Sequence, residues 1–142
     1  MKAITIMQPF ATLITIGVKH YETRSWTTKY RGDLLIHAGK GEDYLFLCDR
    51  EPFKSILNLY DLPLGSIIGK VTLEDCIKVK RSDMCIDNSA ILENGVKIEK
   101  DEYAFGDYTE GRYAWKLANI QKFKEPIPVK GQQRLWNYKE EI

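Results

Sequence analysis

A chain of 142 residues, 44% of them hydrophobic, is long enough to bury one sizeable core and too short for two ordinary domains, so a single domain over 1–142 is expected. Its net charge of +1 excludes the global positive field that drives non-specific nucleic-acid binding, and any such role must rest on a local patch. The three cysteines, Cys48, Cys76 and Cys85, are widely spaced without a C-x-x-C pair, which argues against a zinc site or disulfide framework and fits a reducing cytoplasm.

The chain opens with Lys2 to Met7, where Ile4 and Ile6 flank Thr5 in strand-like alternation. Gln8-Pro9 interrupts the apolar run and no small-residue cleavage site follows, so a signal peptide is not expected. No later stretch approaches the roughly 18 apolar residues of a membrane span. A short helix is predicted next. Pro9 suits the first helical position and Gly17 the residue just past the end, where positive φ is wanted. Phe10, Leu13 and Ile14 give it an apolar face, with Thr12 and Thr15 expected to look outward.

The octet Gly17-Val18-Lys19-His20-Tyr21-Glu22-Thr23-Arg24 then concentrates charge within a few residues. If Lys19 to Ser25 runs extended, His20, Glu22 and Arg24 share one face and Tyr21 and Thr23 the other, with Lys19 able to swing toward Glu22 and Arg24. Such a surface suits an anionic or hydrogen-bonding ligand, and suits equally a solvated ladder of ion pairs. Ser25 to Gly32, which includes Trp26, Tyr30 and Arg31, reads as the rim of a pocket or as a hairpin connection with Trp26 tucked against the core.

Gly32 to Ala38 carries the apolar run of a buried strand, Leu34-Leu35-Ile36, followed by His37 and then Ala38-Gly39-Lys40-Gly41. Glycines beside a lysine at a strand end let backbone N–H groups approach an anion, although this is no P-loop. His37 reads either as a packed, hydrogen-bonded strand residue or as a general base. Between Glu42 and Tyr60 the apolar spacing turns helical, and Pro52 should split it into two short helices with a structural, sheet-covering role. Ser66 to Lys80 is the longest strand expected, with Gly69 marking a bulge or a close backbone approach. Glu74 and Asp75 near its end are either catalytic or solvent-facing carboxylates.

Arg81 to Gly111 reads as a long loop with irregular helix or hairpin. Arg112 to Ile120 alternates as a strand with Tyr113, Trp115 and Leu117 on one face. Phe123 to Val129 is excluded from being a central strand because Pro126 and Pro128 lack ladder donors. Lys130 to Trp136 is read as a turn leading into a last short helix, with Trp136 either plugging the core or stacking on a base.

Gly17-x-Lys19-x-x-Glu22-x-Arg24 after the Gln8-Pro9 turn is similar to the signature of the ASCH domain, a relative of the PUA domain. Arg24-Ser25-Trp26, Tyr30-Arg31-Gly32, Ile36-His37-Ala38-Gly39-Lys40, Tyr113-Ala114-Trp115 and the Lys130-Gly131…Leu135-Trp136 ending extend the resemblance over nearly the whole chain. It implies an α+β fold, a small PUA-like β-barrel with peripheral short helices. It also implies a cationic cleft at the barrel mouth formed by Lys19, Glu22 and Arg24, with Trp26, Tyr30 and Arg31 as rim residues. His37 and Lys40 complete the candidate ligand-binding set.

The function this implies is binding of RNA or a nucleotide, without cofactor, dedicated metal site or membrane. The alternative is a small hydrolase acting on RNA or a modified nucleoside, with Lys19 and Glu22 transferring protons. One branch of the family removes the N4-acyl group of cytidine using a lysine and a threonine three residues later. Here Glu22 occupies that third position and Thr23 follows it. A third reading is a protein-interaction domain whose cleft is vestigial.

Overall fold

Alternating β-branched residues extend the first segment into β1 (Lys2–Ile6), which runs parallel to β3 (Gly32–Ala38). A computed structural model describes residues 1–83 and 86–142. Its long central strands are β4 (Ser66–Ser82) and β7 (Tyr113–Pro128), antiparallel neighbours, with β2 (Tyr21–Arg24) on the outer edge of β7. Together with β8 (Leu135–Asn137) they form the path β2-β7-β4-β3-β1-β8. A small extension, β5 (Ala90–Leu92) and β6 (Lys97–Ile98), hangs on β4. All pairs except β1–β3 are antiparallel.

The fold is therefore the expected α+β, PUA-like one. Its ladder does not close on itself between β2 and β8. Instead the sheet curls until a side chain spans the gap, with Arg24 of β2 donating from Nη2 to the Thr5 carbonyl of β1 at 2.9 Å. Ile4, Ile36, Val71, Leu73, Trp115 and Leu117 fill the enclosed space. Trp115 is fully buried, and its indole N–H is satisfied by the Trp26 carbonyl at 3.2 Å.

Gly69 behaves as its position in a long strand predicts. The β4–β7 register shifts beside it, and a Cβ there would lie 2.6 Å from Thr15 Cγ2 and 2.7 Å from the Gln121 carbonyl. Pro126 and Pro128 fall within β7, but there β7 has β4 as its one neighbour, since β2 covers only Tyr113 to Lys116. A proline is tolerated on such an open edge.

Three expectations about local structure are corrected. The ending is a strand rather than a short helix: β1 leaves one edge unpaired beside β3, and residues 135–137 satisfy it while burying Trp136. Thr12 and Thr15 do not look outward. The helix α1 (Phe10–Thr15) is covered on both faces, and its threonines are buried with their hydroxyls bonded to Gln8 Nε2 and the Thr12 carbonyl. Pro9 caps α1 instead of occupying its first turn, and Gly17 takes φ +86° just past its end.

Pro52 splits the next segment into a 3-10 turn (Leu45–Asp49) and α2 (Phe53–Leu57). Further on, α3 (Lys100–Ala104) packs near β2. Cys48 and Cys76 are free, half-buried thiols, and Cys85 lies outside the described residues. Among the described residues no helix is long and apolar enough to cross a membrane.

Candidate functional site: a cleft over a buried lysine

The octet folds as a turn followed by β2, and this places its three charged residues at different depths. Lys19 leaves α1 with its N–H bonded to the Leu13 carbonyl at 3.0 Å, which turns the side chain inward. The side chain is 1% exposed. Its ammonium donates to the Phe105 carbonyl at 2.7 Å, sits 5.6 Å above the Phe10 ring, and lies 3.7 Å from Glu22 Oε1. Burial lowers the Lys19 pKa, against the pull of Glu22 and Glu102, which raise it.

Glu22 and Arg24 point the same way from β2, two residues apart on one face. Arg24 Nε donates to Glu22 Oε2 at 2.9 Å while its Nη2 reaches Thr5. The pair is fixed from both sides, Glu22 by Lys19 beneath it and Arg24 by β1 across the gap.

Above them opens a cleft of about 480 Å³. Its walls come from Thr5 to Met7, Phe10, Glu22 to Arg24, the 3-10 turn with Tyr44 and Phe46, the Phe105 to Asp107 segment after α3, and Arg112. Tyr44 and Phe46 are 45% and 50% exposed, and Tyr44 meets Phe10 edge-on at 5.7 Å. Arg112 donates to the Asp107 carbonyl at 3.0 Å, and its Nε lies 3.5 Å from the Asp107 carboxylate. The Thr109 hydroxyl bonds that carboxylate at 2.6 Å and holds its pKa below the ordinary value.

The lining thus pairs Arg24 with Glu22 and Arg112 with Asp107, so the cleft is charge-matched rather than cationic as expected. Matched ion pairs beside exposed aromatic rings suit a flat, hydrogen-bonding ligand better than a bare phosphate chain.

The other predicted site residues separate from this cleft. Trp26 meets Trp115 edge-on at 4.8 Å and is covered by the Arg134 guanidinium at 4.1 Å, so its ring is already packed. Tyr30 bonds the Asp33 carbonyl. Arg31 is held by the Thr28 and Tyr30 carbonyls at 2.7 and 2.8 Å and by Asp75 at 3.4 Å. Asp75 and Glu74 are solvent-facing; Glu74 pairs with Lys116 at 3.5 Å. His20 leaves the Glu22 face: its N–H and its Nδ1 both meet Glu102 Oε1, at 2.8 and 3.0 Å.

His37 is buried in the packed role. Nε2 lies 2.7 Å from the Val129 carbonyl and must donate to it, which leaves Nδ1 to accept from the Thr5 hydroxyl at 3.2 Å. Burial lowers its pKa. With Lys40 it borders a second, smaller hollow on the far side of Thr5.

Sequence reasoning missed Phe105 and Asp107, which come from the Arg81 to Gly111 stretch read as a long loop, and Arg112, read only as the start of a strand, and it assigned the 3-10 turn a structural role. No spacing in the sequence marks Tyr44 and Phe46 as exposed, since residues two apart in a helical pattern do not share a face.

A mixed sheet that does not close on itself, covered by a few short helices, defines a PUA-like α+β domain. The chain belongs to the ASCH domain family, whose model matches residues 4–127. It is 25% identical over 146 aligned residues to activating signal cointegrator 1 of Mus musculus and of Homo sapiens. Those alignments cover 98% of this chain and 22% of the relatives, so the chain spans under a quarter of their length. Among solved structures, ASCH from Zymomonas mobilis matches with a TM-score of 0.55 at 18% identity, covering 97% of this chain and 87% of that one. A mutant of the same protein gives 0.55 at 19%, covering 97% and 90%. These likenesses establish the fold.

Proposed function

We propose that the protein binds RNA or a nucleotide, and that the cleft over Lys19 receives one unpaired nucleotide. A base lies against Tyr44 and Phe46, with its polar edge at Glu22 and Arg24. The observation that carries this reading is the fixed Glu22–Arg24 pair, a carboxylate and a guanidinium held side by side at 2.9 Å beneath exposed aromatic rings. A carboxylate accepts from ring or amino N–H groups and a guanidinium donates to base carbonyls or phosphate, so together they read a base edge. Membership of the ASCH family supports it.

Fluorescence anisotropy with short single-stranded RNA tests the proposal. Arg24→Ala is expected to weaken binding by about tenfold or more, the loss of one charge-assisted contact. Equal affinities for Arg24→Ala and wild type would reject this surface.

A second reading is favoured by the 3.7 Å approach of the Lys19 ammonium to Glu22 in a cleft wall. In it Glu22 takes a proton from an attacking water or hydroxyl, and Lys19 acts as a positioning residue, its amine committed to Phe105. Incubation with RNA and with acylated nucleosides, followed by mass spectrometry, separates the readings. Products formed by wild type and lost in Glu22→Gln would establish hydrolysis; no products from either would leave binding alone.

A further inference from the structure

The hollow beyond Thr5 has the opposite electrostatic character to the cleft. It encloses about 350 Å³, and its charged lining residues are Lys40 and Lys130, with Gln132 and Gln133 beside them and no carboxylate among the described residues. Neither lysine enters an ion pair among the described residues. In the cleft, by contrast, Arg24 and Arg112 are each matched by a carboxylate.

The hollow is also held in shape. Gly65 lets the Lys40 stem lie against the backbone, since a Cβ there would sit 3.0 Å from Lys40 Cγ and 3.1 Å from Cε. Gly131 seats the 129–134 loop directly on β1 and β3, since its Cβ would fall 2.6 Å from both His37 Cε1 and Thr5 Oγ1. His37, bonded to Thr5 and to Val129, ties that loop down from below.

Thr5 belongs to both sites. Its carbonyl accepts Arg24 on the cleft side, and its hydroxyl meets His37 and the Trp136 indole on the other. One residue of β1 therefore separates a charge-matched, aromatic cleft from a hollow with two unmatched cations and two amides.

We infer that this hollow is a second subsite, binding backbone phosphates of the nucleotides adjacent to the one in the cleft. The ligand is then a stretch of single-stranded RNA, read at one base and held by its backbone across Thr5, rather than a free nucleotide. The inference rests on the nucleotide-binding reading of the cleft. Amide side chains and flexible ammonium groups suit phosphate oxygens without selecting sequence, and phosphates are the one feature every neighbouring nucleotide brings.

The test compares single-stranded RNA of about ten nucleotides with each of the four ribonucleoside 5′-monophosphates, which reach the cleft alone. The variants are Lys40→Ala/Lys130→Ala, Arg24→Ala, and a charge control, Lys78→Ala/Lys80→Ala, on the exposed side of β4. Each lysine that neutralises a phosphate contributes about 0.7 to the salt slope on a single strand. Losing both shrinks the advantage of wild type over the double variant by about 7-fold between roughly 50 and 200 mM salt.

The expected result is that flatter slope and weaker RNA binding for Lys40→Ala/Lys130→Ala alone of the two double variants, with mononucleotide binding lowered only by Arg24→Ala. An RNA slope equal to wild type in Lys40→Ala/Lys130→Ala overturns the subsite, as does an equal loss in Lys78→Ala/Lys80→Ala. In both cases an Arg24→Ala defect would leave the cleft reading standing. If Arg24→Ala changes neither RNA nor mononucleotide binding, the cleft reading fails and the subsite with it.

Discussion

Lys19 and Phe105 are joined across 86 residues of sequence by a 2.7 Å bond from the lysine ammonium to the phenylalanine carbonyl. The bond ties the end of the α1 turn to the segment after α3, and Glu22 sits directly over it. A buried ammonium with a carbonyl and a carboxylate for partners is primarily an anchor for the cleft wall, and this has consequences for stability as well as binding.

Replacing Lys19 by methionine keeps most of the packing volume but orphans the Phe105 carbonyl, while Glu22 retains Arg24. Urea unfolding is expected to show a loss of about 1–3 kcal/mol. Lys19→Ala adds a cavity and is expected to cost about 2 kcal/mol more. A midpoint unchanged in both variants would mean that the buried bond contributes nothing.

Acid should weaken the fold through His37. Its folded pKa lies below the ordinary 6.5 because burial penalises the cation. Between that lowered value and 6.5 the unfolded chain binds the proton and the folded chain resists it, so stability falls as the pH drops through this window. Each unit of separation is worth about 1.4 kcal/mol. In His37→Gln the amide can still donate to Val129 and accept from Thr5, and its melting temperature should decline less from about pH 7 to pH 5. Parallel curves for the two proteins would remove His37 as the cause.

At Gly69 an added methyl group meets Gln121 backbone at 2.7 Å, where no rotamer change relieves it. Gly69→Ala is expected to cost about 1–3 kcal/mol by overpacking, measured by thermal or urea unfolding. Gly95, whose Cβ would meet nothing within 4 Å, is no neutral control because its φ is +89°.

If the exposed rings of the 3-10 turn stack a base, Tyr44→Ala and Phe46→Ala should each weaken RNA binding by about 1–3 kcal/mol. Neither should alter the salt slope, because stacking releases no counterions. A change in slope with unchanged affinity at low salt would assign these rings a different role.

The sequence by itself determined the local pieces. Period and punctuation located β1, α1, β3 and the long β4, the split at Pro52, the positive φ of Gly17 and the close approach at Gly69, because each depends on residues next to one another in the chain. The octet also declared itself, since Glu22 and Arg24 share a face through the two-residue repeat of any strand. Tertiary structure alone decided depth and partnership. It sank Lys19 beneath Glu22, packed Trp26 between Trp115 and Arg134, turned His20 away to Glu102, and brought Tyr44, Phe105 and Arg112 to one cleft. It also drew residues 135–137 into a strand, because an unpaired edge of β1 needed hydrogen bonds that no local pattern in that segment announces.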